Sequence, residues 1–403
     1  EARIDHEFER GALGSSPKKE RYLLCALVKR NWDTFRAIRA VAEQLNINTA
    51  RIHVAGMKDA KALTAQHIAI EGILEEDIQK VKVKDLEVRP IGYFRNKLSS
   101  YYLRGNSFQV TIRAIRFSKT TIQTRIAKTI EELKVRGGLP NFFGHQRFGT
   151  TRPITHLVGK AIIKGDFRKA AMLFLAKASP YEHPESQRAR EELGDTGDVK
   201  KALAVFPKTL HYERLMLKHL AKRHDDFVGV FKSLPMKLRL LFPQAYQSYL
   251  FNRFLSERIR EELPLNKAGV GDYVVSLERS GLPNVMMSRQ ANAETVEEIN
   301  TAIEKGRVRL ALPLIGFKQC MSRGVQGEIE KKIMNAEGIT SKEFRVSDMR
   351  EMAARGELRA VLVPVNDFRV DEISQDPAIL SKRLARMRFM LYRGSYATVF
   401  LRE

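Results

Sequence analysis

Apolar and polar positions along the chain fall into short blocks whose spacing predicts strands and helices in alternation. "RYLLCALVKR" is an unbroken apolar run of strand length, flanked by charge, and reads as a buried strand. Asp33 or Thr34 then caps a helix that carries Phe35, Ile38, Val41, Ala42 and Leu45 at helical spacing. "ARIHVAG" and "QHIAI" read as two further strands, which places the residues between them in a connecting loop. "NSFQVTIRAI" alternates, with Phe108, Val110 and Ile112 on one face. Ser118 follows as the cap of a helix bearing Ile122, Ile126, Ile130 and Leu133, closed by Gly137 and Gly138. This succession predicts an α+β (α/β mixed) domain whose helices cover one face of a sheet.

Past about Lys169 the character changes. "ASPYEHPESQRAREELGDTGDVKK" is polar, turn-rich and comparatively acidic, and is expected to form an exposed connection. "FPQAYQSYLFNRFLSERIREEL" predicts a helix with Tyr246, Tyr249, Leu250 and Phe254 along one side, and "NKAGVGDYVV" returns to turn and strand. A second domain is expected here. Near the end, "RAVLVPV" and "YATVFL" read as strands separated by "PAILSKRLARMRF". No internal repeat is evident.

Composition narrows the function. The 403 residues allow two or three domains, and 43% hydrophobic with 29% charged residues describes a globular chain. Lys+Arg 70 against Asp+Glu 47 leaves a net charge of +23, which favours a polyanionic partner. The sequence contains no run of about 18 apolar residues, no basic amphipathic end segment and no lipidation box, so nucleic acid is expected and a membrane is not. Cys25 and Cys320, the only cysteines, lie far apart in unlike contexts, against both a disulfide scaffold and a cysteine zinc site. A reducing cytoplasm fits. The nine histidines form no HExxH or other ligand-spaced pair, so no metal is expected. The chain opens "EARIDHEF" without an initiator Met, as if an upstream segment were missing.

Three stretches carry candidate chemistry. In "AGMKDAKALTAQ", Asp59 stands between Lys58 and Lys61 at a bend begun by Gly56; fixed positive charge favours its ionised form, and small neighbours leave room for approach. The stretch suits a nucleophile's seat or an ordinary polar turn. Arg89 to Arg104, "RPIGYFRNKLSSYYLR", interleaves four basic residues with Tyr93, Phe94, Tyr101 and Tyr102 and contains no acid. That combination suits RNA with unpaired nucleotides, since cations neutralise phosphates while rings stack on bases; the same tyrosines would also serve as core. Ser381 through Arg402 is likewise free of acids. In "LPNFFGHQRFGTTRP", Asn141, Phe142, Phe143 and Arg147 are packed together with the turn glycines Gly144 and Gly149 into a few residues. An exposed ring beside an amide and an arginine can stack on a base and hydrogen-bond it, although an aromatic turn is also common core.

Together "GMKDAKALTAQ", "GNSFQVTIR", "NFFGHQRFG", "AYQSYLFN" and "RGSYATVFLRE" resemble, in order and across almost the whole chain, the TruD family of pseudouridine synthases, in its archaeal and eukaryotic branch. The resemblance implies conversion of uridine 13 of tRNA to pseudouridine. It also implies a catalytic domain with a mixed, mostly antiparallel sheet, placed at 1–168 and 349–403, interrupted by an inserted TRUD domain at 169–348. It implies Asp59 as the catalytic aspartate, Asn141 as the residue positioning that aspartate or the target uridine, and Phe143 as the ring stacked on the flipped base. Lys58 and Arg147 are the accompanying substrate-binding residues. Family members normally open with a segment of the form PEDFxVxE, which is not found before "RIDHEF"; its loss would remove a residue that contacts the nucleotide.

The reaction detaches uracil from C1′, turns it and reattaches it through C5 without changing composition. It therefore needs no cofactor and no metal, and one carboxylate suffices where a glycoside hydrolase would need two. The expectation is a monomeric, cytoplasmic isomerase acting on tRNA. The alternatives are a non-catalytic structured-RNA-binding protein, which would not need Asp59, and another base-modifying enzyme, which should show a glycine-rich cofactor loop or a deaminase zinc set.

Overall fold

The computed structural model describes residues 21–402 and divides into two compact units after Gly105. The segment "RIDHEF" and everything else before Arg21 lie outside the described residues.

The first unit is a four-stranded sheet with one covering helix. β1 (Tyr22–Arg30) is followed by α1 (Thr34–Gln44), β2 (Ile52–Val54), β3 (Leu63–Glu71) and β4 (Leu86–Phe94), in the sheet order β2-β3-β1-β4. β1 runs antiparallel to β3 from Tyr22↔Glu71 to Arg30↔Leu63 and antiparallel to β4, and β2 runs antiparallel to β3. Leu23, Cys25 and Leu27 face Ala37, Ile38, Val41 and Ala42 of α1, while Tyr22 packs on the opposite face with Ala69 and Leu98. Burial on both faces explains why β1 reads as a continuous apolar run instead of an alternation. Of the two candidate caps, Asp33 is the one used; its carboxylate accepts from the backbone N–H of Phe35 at 2.9 Å and of Arg36 at 3.2 Å.

The second unit begins with β5 (Gly105–Ile115) and α2 (Lys119–Val135), whose cap is Ser118, as expected. Phe108 and Val110 of β5 pack into the core with Ile126, Ile130 and Leu133, whereas Ile112 of the same predicted face is exposed. After α2, a short β6 (Leu139–Pro140) pairs antiparallel with a later strand through Leu139↔Val363. Gly138 (φ +141°) permits that approach, because a Cβ there would lie 2.5 Å from the Val363 carbonyl oxygen.

A helical layer follows: α3 (Thr155–Ile163), α4 (Phe167–Ala176), α5 (Pro184–Thr196), α6 (Val199–Val205), α7 (His211–Lys222), α8 (Phe227–Lys232) and the 25-residue α9 (Met236–Arg260). α9 buries Tyr246, Leu250 and Phe254, the side anticipated from the sequence. α3 crosses it at Gly159, where a Cβ would stand 2.0 Å from the Phe242 carbonyl oxygen. Next come β7 (Tyr273–Leu277), β8 (Pro283–Gln290), α10 (Val296–Glu304), β9 (Val308–Leu314), α11 (Gly324–Glu337), β10 (Glu357–Ala360) and β11 (Leu362–Val363), the partner of β6. They supply an antiparallel sheet of order β10-β9-β7-β8. β12 (Asn366–Asp376) and β13 (Ile379–Tyr392) complete a sheet of order β12-β13-β5, and α12 (Ala397–Phe400) closes the described chain. The whole is α+β with mostly antiparallel sheets.

Three local expectations are corrected. "YATVFL" is not a strand: it forms the helical turn α12, with Val399 and Phe400 buried against Phe389. "PAILSKRLARMRF" is no mere separator. It makes most of β13, whose Leu384, Met387, Phe389 and Leu391 are buried. The polar stretch after Lys177 contains α5, held by a cation in the interior. Arg190, 1% exposed, donates to Glu182 at 2.9 Å, to Glu213 at 2.6 Å and to the Phe174 and Leu175 carbonyls. Much of the stretch is exposed, as expected, but it is a helix anchored by an internal ion-pair network and not a turn-rich connection.

Removing Arg190 leaves the Glu182 and Glu213 side chains with Arg152, 3.6 Å from Glu213, as their remaining cation. Arg190→Met is expected to destabilise the protein by about 3–5 kcal/mol in urea unfolding. The triple replacement Arg190→Met, Glu182→Leu, Glu213→Leu is expected to lose less than the single variant.

Candidate active site

Asp59 lies in the loop between β2 and β3, as the sequence predicted, and its side chain is exposed. What fixes the loop is underneath it. Lys29, at the end of β1, is fully buried, yet its ammonium donates to the Asp59 carbonyl at 2.8 Å and the Trp32 carbonyl at 2.7 Å. Thr34, also fully buried, accepts from the Lys58 N–H at 3.2 Å and donates to the Lys58 carbonyl at 3.3 Å. Gln66 donates to the Gly56 carbonyl at 3.1 Å. The main chain is thus clamped on one side while the carboxylate points to solvent. Burial pulls the Lys29 and Lys58 pKa values below the usual lysine range, opposed in both by attraction to Asp59. Lys58 is partly buried, and Lys61 is exposed.

The second candidate cluster is built on the turn after β6. Asn141 is buried and holds the turn by both ends of its amide: Nδ2 donates to the Ala360 carbonyl at 2.8 Å, and Oδ1 accepts from Arg359 at 2.6 Å. Arg359 also donates to the Asn141 carbonyl at 3.0 Å and the Gly394 carbonyl at 2.8 Å, and its guanidinium lies 4.0 Å from the centroid of Phe143. The Phe143 ring meets Phe251 and Tyr396 edge-on. Its peptide unit is gripped by Asn252 of α9, which accepts from the Phe143 N–H at 2.9 Å and donates to its carbonyl at 3.0 Å. Arg147 reaches Ser248 at 3.1 Å and Gln244 at 3.3 Å, both on α9, and lies 5.8 Å from the Phe143 centroid.

The electrostatics of this cluster are one-sided. The hydrogen-bond acceptors of Arg147 and Arg359 are a hydroxyl, amides and carbonyls, all neutral. Burial lowers both guanidinium pKa values, that of Arg359 to about 10. Two desolvated cations flanking an aromatic ring suit an anion next to a base.

Structure brings Asn141, Phe143 and Arg147 together in the second unit, and Lys58 and Asp59 together in the first. Sequence reasoning missed Lys29, Thr34, Asn252 and Arg359. Asn252 stood in a quoted motif; Lys29 and Thr34 looked like a strand end and a spare cap. The basic aromatic stretch divides: Tyr93 and Phe94 are core, whereas Tyr101 is 75% exposed. Among the described residues, no group of three or more His, Cys, Asp or Glu is arranged to hold a metal, and no helix is long and apolar enough to cross a membrane.

Comparison with known proteins gives consistent matches. The chain matches the family model described as tRNA pseudouridine synthase D (TruD) over residues 6–403. A "Probable tRNA pseudouridine synthase D" of Methanosarcina barkeri is 40% identical over 95% of this chain and 87% of its own length. The protein of the same name from Methanosarcina acetivorans is 41% identical over 96% and 87%. A crystal structure of a "Putative tRNA pseudouridine synthase D (TruD)" from Methanosarcina mazei superposes with a TM-score of 0.84 at 38% identity, covering 96% of this chain and 88% of that one.

The clamp beneath Asp59 has a direct readout. Thr34→Val removes the acceptor of the Lys58 amide, and hydrogen exchange at that amide is expected to accelerate by about tenfold, the equivalent of one hydrogen bond. Exchange in β4 should stay unchanged.

Proposed function

This chain belongs to the tRNA pseudouridine synthase D (TruD) family, and we propose that it isomerises uridine 13 of tRNA with Asp59 as the catalytic carboxylate. The observation that carries the reading is the Asp59 loop: its backbone is clamped by buried Lys29 and Thr34 while its carboxylate faces solvent. Loops held on a rigid scaffold are where reacting groups are usually placed.

In this reading the N1–C1′ bond of an extruded uridine breaks, a C5–C1′ bond forms, the C5 proton leaves and N1 takes up a proton. Asp59 either attacks the nucleoside or abstracts a proton. Extruding the base costs a few kcal/mol, which stacking and phosphate contacts offset. Phe143 supplies the stacking surface, and Arg147 and Lys58 supply positive charge to the RNA. Asn141 acts as a positioning residue through the turn it shares with Arg359, which agrees with both ends of its amide being engaged. Residues 1–168 and 349–403 make up the catalytic domain and 169–348 the insertion. The net charge of +23 supports a tRNA partner.

Tritium release from tRNA labelled at C5 of uridine tests the assignment. Asp59→Ala is expected to lower release by about 10²–10⁴-fold or more with tRNA binding unchanged, and a transcript with cytidine at position 13 should release nothing. Equal release by wild type and variant would refute the role of Asp59. Phe143→Ala is expected to lower kcat/KM by about 5–150-fold, the equivalent of about 1–3 kcal/mol of stacking, and Phe143→Tyr should restore most of it.

A further inference from the structure

A cavity of about 220 Å³ opens in the second unit beside the Phe143 turn, and the roles given above leave it unused. Arg359 belongs to both places: its guanidinium covers Phe143 and also lines the cavity, together with Asn141. Leu282, Pro283, Val285 and Val363 form apolar walls. The volume is below the roughly 300–1,000 Å³ of small-molecule sites, and it suits one planar base better than a cofactor.

The polar group that stands out is Glu357. It shares a face of β10 with Arg359, since residues two apart on a strand point the same way. Arg359 is occupied by Asn141 and Gly394, and the Glu357 carboxylate has no hydrogen-bond or ion-pair partner among the described residues. Glu357 is itself exposed at the edge of the cavity, and the partial desolvation it meets there pushes its pKa up, so it gains from a donor that enters. On a chain of charge +23 that grips phosphates, a carboxylate in a cavity repels the RNA backbone. It is favourable only where base-edge donors arrive.

We propose that this cavity is a subsite for a guanine base adjoining the target nucleotide, with the Glu357 carboxylate accepting from guanine N1–H and the 2-amino group. Guanine is the one standard base with two adjacent donors matching a carboxylate's two oxygens. The apolar walls sandwich the ring, and Arg393, exposed at the rim, faces the attached phosphate. The inference rests on the RNA-modifying reading above and deepens it.

Equilibrium dialysis of the full chain against GMP, IMP, AMP, CMP and UMP at millimolar concentration tests it. GMP is expected to bind about tenfold more tightly than the others, IMP losing affinity because it lacks the 2-amino group. Glu357→Gln should erase the preference with an unchanged melting temperature, and Asp59→Ala should keep it. With tRNA, Glu357→Gln should raise KM for tritium release by about tenfold and leave kcat near wild type. Equal binding of all five nucleotides, no detectable binding, or a GMP preference that survives Glu357→Gln overturns the subsite. The two readings fail separately: tritium release without a GMP preference removes only the subsite, and a GMP preference without release removes only the proposed reaction.

Discussion

A buried ammonium bonded to backbone carbonyls is the constraint on which the first unit's chemistry depends. Lys29 is fully buried and makes no ion pair at hydrogen-bonding distance with the described residues; its protons go to the carbonyls of Trp32 and Asp59. A charge withdrawn from water at that cost persists only where its partners are held in place, so cation and loop fix each other. Nearby Asp33 and Asp59 offset part of the desolvation by Coulomb attraction. The aspartate therefore serves its surroundings twice, through its carbonyl as an anchor and through its carboxylate as a counter-charge.

The second unit repeats this arrangement with a guanidinium. Arg359 spreads its donors over the Asn141 carbonyl and amide and the Gly394 carbonyl, and lays its plane on Phe143. In both units a cation on a strand organises an irregular segment by its peptide groups. Such cations leave the neighbourhood with residual positive potential, because among the described residues no carboxylate contacts either of them directly. A polyanion approaching either segment meets that potential before it meets any specific contact.

Much of this was legible in the sequence. The capped helix after β1, the strand-helix pair 105–135 and the loop position of Asp59 follow from spacing alone. The residues that failed to announce themselves act through space. Thr34 looks like a surplus cap because its partner is 24 positions away, and Arg359 sits in an unremarkable strand 218 residues from the amide it holds. Local pattern also misleads where polarity is internal: Arg190 of α5 and Glu182 just before it add to the look of a surface loop, although Arg190 is buried and pairs with Glu182 and with Glu213 of α7. In "YATVFL" the β-branched and aromatic residues suggest a strand, but packing of Val399 and Phe400 on Phe389 settles a helical turn.

The grip of Asn252 on the Phe143 peptide, with Ser248 and Gln244 holding Arg147, has a bearing on modularity. These three side chains come from within 169–348, and the turn they steady comes from before it. The intervening stretch is thus no ornament that could be excised or exchanged between homologues at will. A chimera that imports a foreign helix without that amide and its two companions inherits a ring and a guanidinium with nothing to aim them. Substitutions on the two sides of that junction must be inherited together.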